Sequence, residues 1–153
     1  MAAEERRRDS FLISTDHKRL DRDLIWNFVS NAYWGKHLSR EIFDRSVDNA
    51  TVFGLYVAGD GYSAGDRQIG FARVLSDFSR VAWLSDVFVL EDFRNQGLGR
   101  WLVDTALTYP PFIGLDRWFL GTSDAHEFYR SFGFREFTDP KRYMLRRLDP
   151  SLP

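Results

Sequence analysis

Residues 87–100 read Val-Phe-Val-Leu-Glu-Asp-Phe-Arg-Asn-Gln-Gly-Leu-Gly-Arg, and they are the most informative part of the chain. An apolar run typical of a strand ends in a short acidic turn, and Arg-x-x-Gly-x-Gly then leads into the helical spacing of residues 101–107. A strand, a glycine turn and a helix in this order direct several free backbone N–H groups at one point, with the helix dipole behind them. Because glycine has no Cβ, a phosphate or pyrophosphate can approach the backbone there.

The spacing of the two glycines separates this turn from other phosphate-binding loops. The dinucleotide pattern Gly-x-Gly-x-x-Gly is absent, and so is the phosphate-binding loop that ends in Gly-Lys-Ser/Thr. Arg94-x-x-Gly97-x-Gly99 after a strand resembles the acetyl-CoA pyrophosphate loop of the GNAT superfamily of N-acetyltransferases. Glu91 stands where that family usually has a proline, which is a mild departure because the proline only stiffens the turn.

A second block, residues 117–137, strengthens the resemblance. Residues 118–120 have the pattern of a short buried strand, Ser123 or Asp124 is a suitable helix N-cap, and Gly133 stands where a left-handed C-cap is expected. In the GNAT superfamily this helix ends Ala-x-x-Leu-Tyr-x-x-x-Gly-Phe. The residues that fill this pattern here are Ala125, Phe128, Tyr129, Gly133 and Phe134. The two blocks occur in the family's order, and the resemblance covers roughly residues 50–148.

The composition indicates one globular domain over residues 1–153. Hydrophobic residues make up 44% and aromatic residues 16% of the 153 residues, which argues against disorder. The arginine run at residues 6–8 is flanked by acidic residues, so we expect residues 1–10 to form a flexible tail. The net charge of -1 gives no basic field for nucleic acid. The chain has no cysteine, no run that would span a bilayer and no signal-peptide pattern, so we expect a cytoplasmic protein without a membrane partner.

The resemblance implies an α/β (α+β) fold, with a central, mostly antiparallel twisted sheet flanked by helices. We expect a helix that begins at Asp21 or Asp23 and ends near residues 33–35, and a second helix from Ser39 to about Asn49. The predicted strands cover residues 11–14, 52–58, 68–75, 81–90, 118–120 and 143–148. A helix follows Gly99 and stops before the two prolines at 110–111.

The resemblance also implies that acetyl-CoA is the acyl donor and that no metal is needed. The amides around the glycine turn would hold the pyrophosphate, and the main chain of residues 87–89 would pair with pantetheine as an added strand. A backbone N–H near Phe88 or Val89 would stabilise the tetrahedral oxyanion. Thr122 stands where the family often has asparagine, and its hydroxyl can still form a hydrogen bond with the cofactor. The predicted cofactor contacts are Val87, Phe88, Val89, Arg94, Asn95, Gln96, Gly97, Leu98, Gly99, Arg100, Thr122 and Asp124.

Two residues are candidates for proton transfer. Tyr129 matches the family tyrosine, and its phenol would protonate the departing thiolate. Asp86 lies inside an otherwise apolar strand, just upstream of the turn, where it would orient the amine or relay its proton. An equally good hypothesis for Asp86 is a structural carboxylate that accepts hydrogen bonds from a loop. The candidates for contact with the acceptor amine are Tyr33, Trp34 and Trp83, although an ordinary aromatic core explains them as well.

Three functions remain open on the sequence alone. The first is an N-acetyltransferase in which a primary amine attacks acetyl-CoA directly through a tetrahedral intermediate. The second is a non-catalytic acyl-CoA-binding or sensing module, and the third is a nucleotide-binding or structural domain with a similar glycine turn. The acceptor of the first would be a small-molecule or peptide amine, and a homodimer is left open.

Overall fold

Six strands form one mixed sheet in the order of the chain. The computed structural model describes residues 2–59, 65–149 and 151. The strands are β1 (Glu5–Arg8), β2 (Phe11–Ser14), β3 (Thr51–Val57), β4 (Arg67–Ser76), β5 (Val81–Val89) and β6 (Arg117–Phe119). Neighbouring strands from β1 to β5 are antiparallel, whereas β6 is parallel to β5. The predicted mixed α/β fold with a mostly antiparallel sheet is confirmed.

The described residues contain four α-helices beside the sheet, and side-chain hydrogen bonds cap the first two of them. They are α1 (Arg22–Asn31), α2 (Arg40–Asp48), α3 (Leu98–Leu107) and α4 (His126–Arg130). The Asp21 carboxylate accepts a hydrogen bond from the Leu24 N–H at 3.0 Å, and the Ser39 hydroxyl accepts one from the Ile42 N–H at 3.3 Å. Each cap satisfies a backbone donor that the helix leaves unpaired. None of the helices in the described part of the chain is long and apolar enough to cross a membrane.

Both faces of the sheet are covered by apolar packing. On one face, α1 and α2 pack on the sheet through a cluster made of Ile25, Val29, Phe43, Val47, Val52, Phe71 and Phe88. On the other face, α3 packs through Leu102, Val103 and Ala106, together with side chains of β3, β4 and β5. Burial of these side chains supplies the main stabilising free energy of the fold. The site described below lies on the face that carries α1, beyond the C-terminal end of that helix.

The N-terminal prediction was wrong for residues 5–8. The expected flexible tail contains β1, which pairs along its whole length with β2. The Arg6 guanidinium donates to the hydroxyl of Thr108 at 2.8 Å and to its carbonyl at 3.0 Å, which joins this edge strand to the end of α3. The run of charged residues therefore forms an edge strand, where charged side chains protect an exposed sheet edge.

The predicted last strand is absent from residues 143–148. The adjacent apolar residues Met144 and Leu145 are followed by two arginines, so no face of a strand would be uniformly apolar. Met144 and Leu148 are both 98% exposed, so these side chains gain nothing from the core. The predicted loop after β3 includes residues 60–64, which lie outside the described residues.

Candidate active site

A cavity of about 920 Å³ opens where β5 and β6 diverge. β6 pairs with β5 only from Val81 to Trp83. Within the described residues, no strand lies beside the remaining edge of β5, from Leu84 to Val89. The walls of the cavity are this edge, the end of α1 with the residues that follow it, and the segment 120–125 that precedes α4. The short β6 thus leaves a sheet edge free inside the protein.

A β-bulge shapes the floor of this cavity. Phe88 pairs with Phe71 and Ser85 pairs with Arg73, so Ala72 faces two residues of β5, Asp86 and Val87. Asp86 has a left-handed backbone with φ of 53°, which few residues other than glycine, asparagine and aspartate adopt. A bulge redirects the side chains of its strand, and here it accompanies the placement of the Asp86 carboxylate beside Arg73.

Asp86 is a buried carboxylate whose two oxygens both accept hydrogen bonds. One oxygen accepts from Nε of Arg73 at 2.5 Å and the other from the Trp34 indole at 3.0 Å. The side chains of Asp86 and Arg73 are 4% and 13% exposed. Of the two hypotheses for Asp86, this geometry matches the structural carboxylate that accepts from a loop. The carboxylate also neutralises Arg73, and a role of Asp86 in orienting the amine or relaying its proton stays a prediction.

The Asp86 contacts predict a large loss of stability for Asp86→Ala. That change leaves the Arg73 guanidinium and the Trp34 indole without their acceptor and places alanine at a left-handed φ. We expect the free energy of unfolding in urea to fall by about 3 kcal/mol. Asp86→Asn, which tolerates the backbone and keeps an acceptor, should cost roughly half as much. Asp104→Ala on the exposed surface of α3 is the control, and equal stability of Asp86→Ala and this control would contradict the assignment.

The glycine turn forms the N-terminal end of α3. Gly97 is the N-cap residue, with φ of 73°, and no side chain caps the helix. The first-turn N–H groups of Leu98, Gly99 and Arg100 have no acceptor within an α-helix. The Leu98 side chain is buried, so only its backbone faces the turn. The turn therefore offers backbone donors at the positive end of a ten-residue helix.

The main chain of Val89 faces the open edge of β5. The Leu90 N–H donates to the carbonyl of Ile69, next to β4, at 2.8 Å. Successive residues of a strand direct their backbone groups to alternate sides, so the N–H and carbonyl of Val89 point away from β4. In agreement with this, Nε of Arg94 donates to the Val89 carbonyl at 2.9 Å. Arg94 thereby joins the glycine turn to the end of β5.

Arg8 is a residue near the turn that the sequence analysis missed. Its guanidinium donates to the Gln96 carbonyl at 3.2 Å and lies 4.9 Å from the centre of the Trp101 ring. Arg100 lies on the α4 side, where it donates to the Ser131 hydroxyl at 2.5 Å. Arg8 and Arg100 thus lie near the turn in addition to Arg94, and pairing of β1 with β2 brings Arg8 into contact with a residue 88 positions further along the chain.

Tyr129 lies on α4 and faces the cavity. Loss of solvation on burial raises the pKa of its phenol to about 12, and the nearby Tyr33 and Asp124 add to the rise. The predicted N-cap at Ser123 or Asp124 was wrong, because α4 begins after Ala125. Instead, the Thr122 hydroxyl accepts a hydrogen bond from the Ala125 N–H at 3.0 Å. Because its pKa is about 12, the Tyr129 phenol is protonated at every pH at which the protein would normally be assayed.

The three aromatic candidates for acceptor contact lie on the cavity wall. The Tyr33 hydroxyl accepts a hydrogen bond from the Ser123 N–H at 3.0 Å, which joins the segment after α1 to the segment before α4. Trp34 contacts Tyr33 edge to face, with ring centres 5.0 Å apart. Trp83 stacks on Phe119 at 5.9 Å and is 47% exposed, so part of its ring is free to contact a ligand.

The structure gathers most of the predicted site around one cavity. The predicted residues that line it are Tyr33, Trp34, Trp83, Asp86, Val87, Phe88, Val89, Arg94, Thr122, Asp124 and Tyr129. The predicted residues outside its lining are Asn95, Gln96, Gly97, Leu98, Gly99 and Arg100. A Cβ built on Gly99 lies 3.9 Å from side-chain atoms of both Val89 and Phe128, so the turn adjoins the cavity.

Comparison with known proteins agrees with this arrangement. A family model described as the acetyltransferase (GNAT) domain matches residues 48–136. A candidate acetyltransferase of the GNAT family from Xanthomonas campestris is 37% identical, with a TM-score of 0.82 over 90% of this chain and 93% of that one. A Gibberella zeae protein named as a candidate acetyltransferase is 27% identical over 86% of this chain and 83% of its own.

A third relative shares the fold at lower identity. A GNAT-family acetyltransferase from Elizabethkingia anophelis, solved with acetyl-CoA bound, is 18% identical, with a TM-score of 0.59 over 84% of this chain and 78% of that one. The family match covers more than half of the chain, and it includes both the glycine turn and the helix that carries Tyr129. This chain belongs to the GNAT family of acetyltransferases.

Proposed function

We propose that this protein is an N-acetyltransferase that moves the acetyl group of acetyl-CoA to a primary amine by direct attack. The observation that carries the proposal is the free edge of β5, which runs from the glycine turn into the cavity that Tyr129 lines. An extended pantetheine arm fits such an edge as an added strand. The acetyl-CoA bound to the Elizabethkingia anophelis relative supports the choice of cofactor.

The glycine turn would hold the pyrophosphate of the cofactor. Its free N–H groups and the helix dipole favour an anion, and Arg8 adds positive charge beside Gln96. Further along the edge, the Val89 N–H points toward the space where pantetheine would lie. We assign this N–H as the donor that stabilises the tetrahedral oxyanion. Of the two donors considered from the sequence, Phe88 and Val89, only the second faces the free edge.

Tyr129 would donate a hydrogen bond to the departing sulfur. Its pKa of about 12 lies above the usual thiol value of about 8.5, so complete proton transfer to a free thiolate would cost about 5 kcal/mol. Donation to the sulfur as charge develops avoids that full cost. The raised pKa therefore favours a role in stabilising the leaving group over the full proton transfer expected from an ordinary phenol.

A group other than Asp86 would accept the proton of the amine. Both oxygens of that carboxylate accept hydrogen bonds from side chains of the wall. Asp124 also lines the cavity, and no described residue donates a hydrogen bond to its side chain. We propose that Asp124, directly or through water, accepts the proton. Asp86 would act through Trp34 and Arg73 as a positioning residue.

A thermal-shift panel of acetyl-CoA, CoA, ATP and NAD tests the choice of cofactor. At 100 times its Kd, a ligand stabilises the folded state by about 2.7 kcal/mol, which for this chain length corresponds to roughly 5–10 °C in Tm. We expect shifts of that size with acetyl-CoA and CoA and much smaller ones with ATP and NAD. Stabilisation by ATP or NAD but not by CoA would contradict the proposal.

The alternative function is a non-catalytic acyl-CoA-binding or sensing module. It would give the same thermal shifts but no thiol release with any amine. The presence of Tyr129 in the same cavity as the free β5 edge favours the enzyme.

A single domain, a cytoplasmic location and a homodimer stay predictions.

A further inference from the structure

Arg73 presents a largely buried guanidinium to the cavity. It lies on β4 beside Ser85 of β5, and its side chain is 13% exposed. This residue lines the cavity together with Trp83 and Tyr33, on the same side of the sheet as α1. No part of the proposed acetyl transfer uses Arg73 except through its contact with Asp86.

The donors of Arg73 are only partly used. Its Nε donates to Asp86 at 2.5 Å, and Nη2 lies 3.4 Å from the Ser85 hydroxyl. Among the described residues, no group accepts a hydrogen bond from Nη1. A guanidinium has five N–H donors in a planar fork, which matches the two oxygens of a carboxylate. Nη1 is not among the buried polar atoms that lack a partner, so it is open to the cavity, where a ligand with a carboxylate can supply an acceptor.

Aromatic side chains form part of the surrounding wall, beside polar residues such as Asn27 and Asn31. Phe28 stacks on Phe88 with ring centres 3.9 Å apart, and Trp83 presents a partly exposed ring. Because Asp86 neutralises Arg73, the pair has no net charge, and what it offers an acceptor is the directed N–H donors of Nη1. The same pair accommodates an acceptor that has a carboxylate for Nη1 and an apolar group for the aromatic wall.

We propose that the acceptor is an amino acid with an apolar or aromatic side chain, and that Nη1 of Arg73 binds its carboxylate. This inference rests on the proposed acetyl transfer and specifies its substrate class. The α-amine nitrogen bonds to the acetyl carbon and the thioester C–S bond breaks, the amine proton passes to Asp124 or water, and CoA leaves as a thiolate that takes a proton from water. Arg73 would contact the substrate without exchanging a proton.

The test compares amines that differ in the carboxylate. The probes are phenylalanine, phenylalaninamide and phenethylamine, with leucine and leucinamide as a second set, each assayed for thiol release with acetyl-CoA. We expect kcat/KM for the amino acids to exceed that for the amines without a carboxylate by about 10- to 100-fold. In Arg73→Lys, which keeps the charge beside Asp86 but loses the fork, this preference should fall at least tenfold, mainly through KM.

A second variant protects the test against misfolding. The double change Arg73→Gln and Asp86→Asn removes both charges and leaves no unpaired ion, and an unchanged acetyl-CoA thermal shift would show that it folds. The preference for the carboxylate should disappear in it. Equal or better use of the amines without a carboxylate by the unaltered protein, or an unchanged preference in both variants, would overturn the inference while acetyl transfer stands. Absence of thiol release with every amine would overturn the proposed function and this inference with it.

Discussion

Gly99→Ala is expected to weaken acetyl-CoA binding by about 10- to 100-fold without destabilising the protein. Gly99 is the second residue of α3, and a Cβ there would lie 3.9 Å from Val89 and from Phe128, which is ordinary contact. The protein itself therefore accepts the methyl group, and alanine favours a helix by up to about 1 kcal/mol. The methyl group would, however, occupy the approach to the turn that the pyrophosphate needs. Calorimetric titration with acetyl-CoA and urea unfolding measure the two effects separately.

Gly65→Ala is the matched control for this change. Gly65 does not line the cavity, and a Cβ there meets no atom of the residues that the structure describes within 4 Å. The control should bind acetyl-CoA like the unaltered protein. Gly97→Ala is less informative, because the left-handed φ of 73° makes the same methyl group costly for the fold. Full acetyl-CoA affinity in Gly99→Ala would remove the glycine turn from the cofactor site.

Tyr129→Phe is expected to reduce kcat by about 100-fold or more while the Kd of acetyl-CoA changes less than about threefold. The ring keeps its contacts with Phe128 and Phe134, so the fold and the cavity wall persist. Only the donor to the departing sulfur is lost. Because the pKa is about 12, the phenol stays protonated below that value, and the rate of the unaltered enzyme should show no loss from its ionisation up to pH 10.

Tyr143→Phe makes the same chemical change away from the cavity. Tyr143 stacks on Phe137 at 4.0 Å in the C-terminal segment and does not line the site. It should retain the turnover of the unaltered enzyme. If Tyr129→Phe matched this control in kcat, or lost acetyl-CoA binding in parallel with kcat, the role of the phenol in the chemical step would be refuted.

The sequence was most informative where function depends on local backbone. The strand, the turn at Gly97 and the helix after it follow from adjacent residues, because a glycine with positive φ and a free helix start need no distant partner. The Tyr129 helix was predicted for the same reason, although its cap was assigned to the wrong residue. The Ala125 N–H donates to the hydroxyl of Thr122, and not to Ser123 or Asp124 as the sequence predicted.

The sequence was least informative where function depends on pairing between distant segments. The ion pair of Arg73 and Asp86 requires the register of β4 on β5 and an inserted residue in β5, and neither leaves a local pattern. Arg8 reaches the glycine turn only because β1 extends the sheet. The divergence of β6 from β5, which creates the cavity, likewise depends on where a parallel pairing stops.

Thiol release from acetyl-CoA across a library of primary amines is the most direct test of acetyl transfer by this protein. The proposed function predicts that at least one class of amine releases CoA and yields one acetylated amine for each thiol. It also predicts that this release falls by about 10- to 100-fold in Gly99→Ala at subsaturating acetyl-CoA and by about 100-fold or more in Tyr129→Phe at saturation. Binding of acetyl-CoA without thiol release in the presence of any amine would contradict it and would leave a binding module.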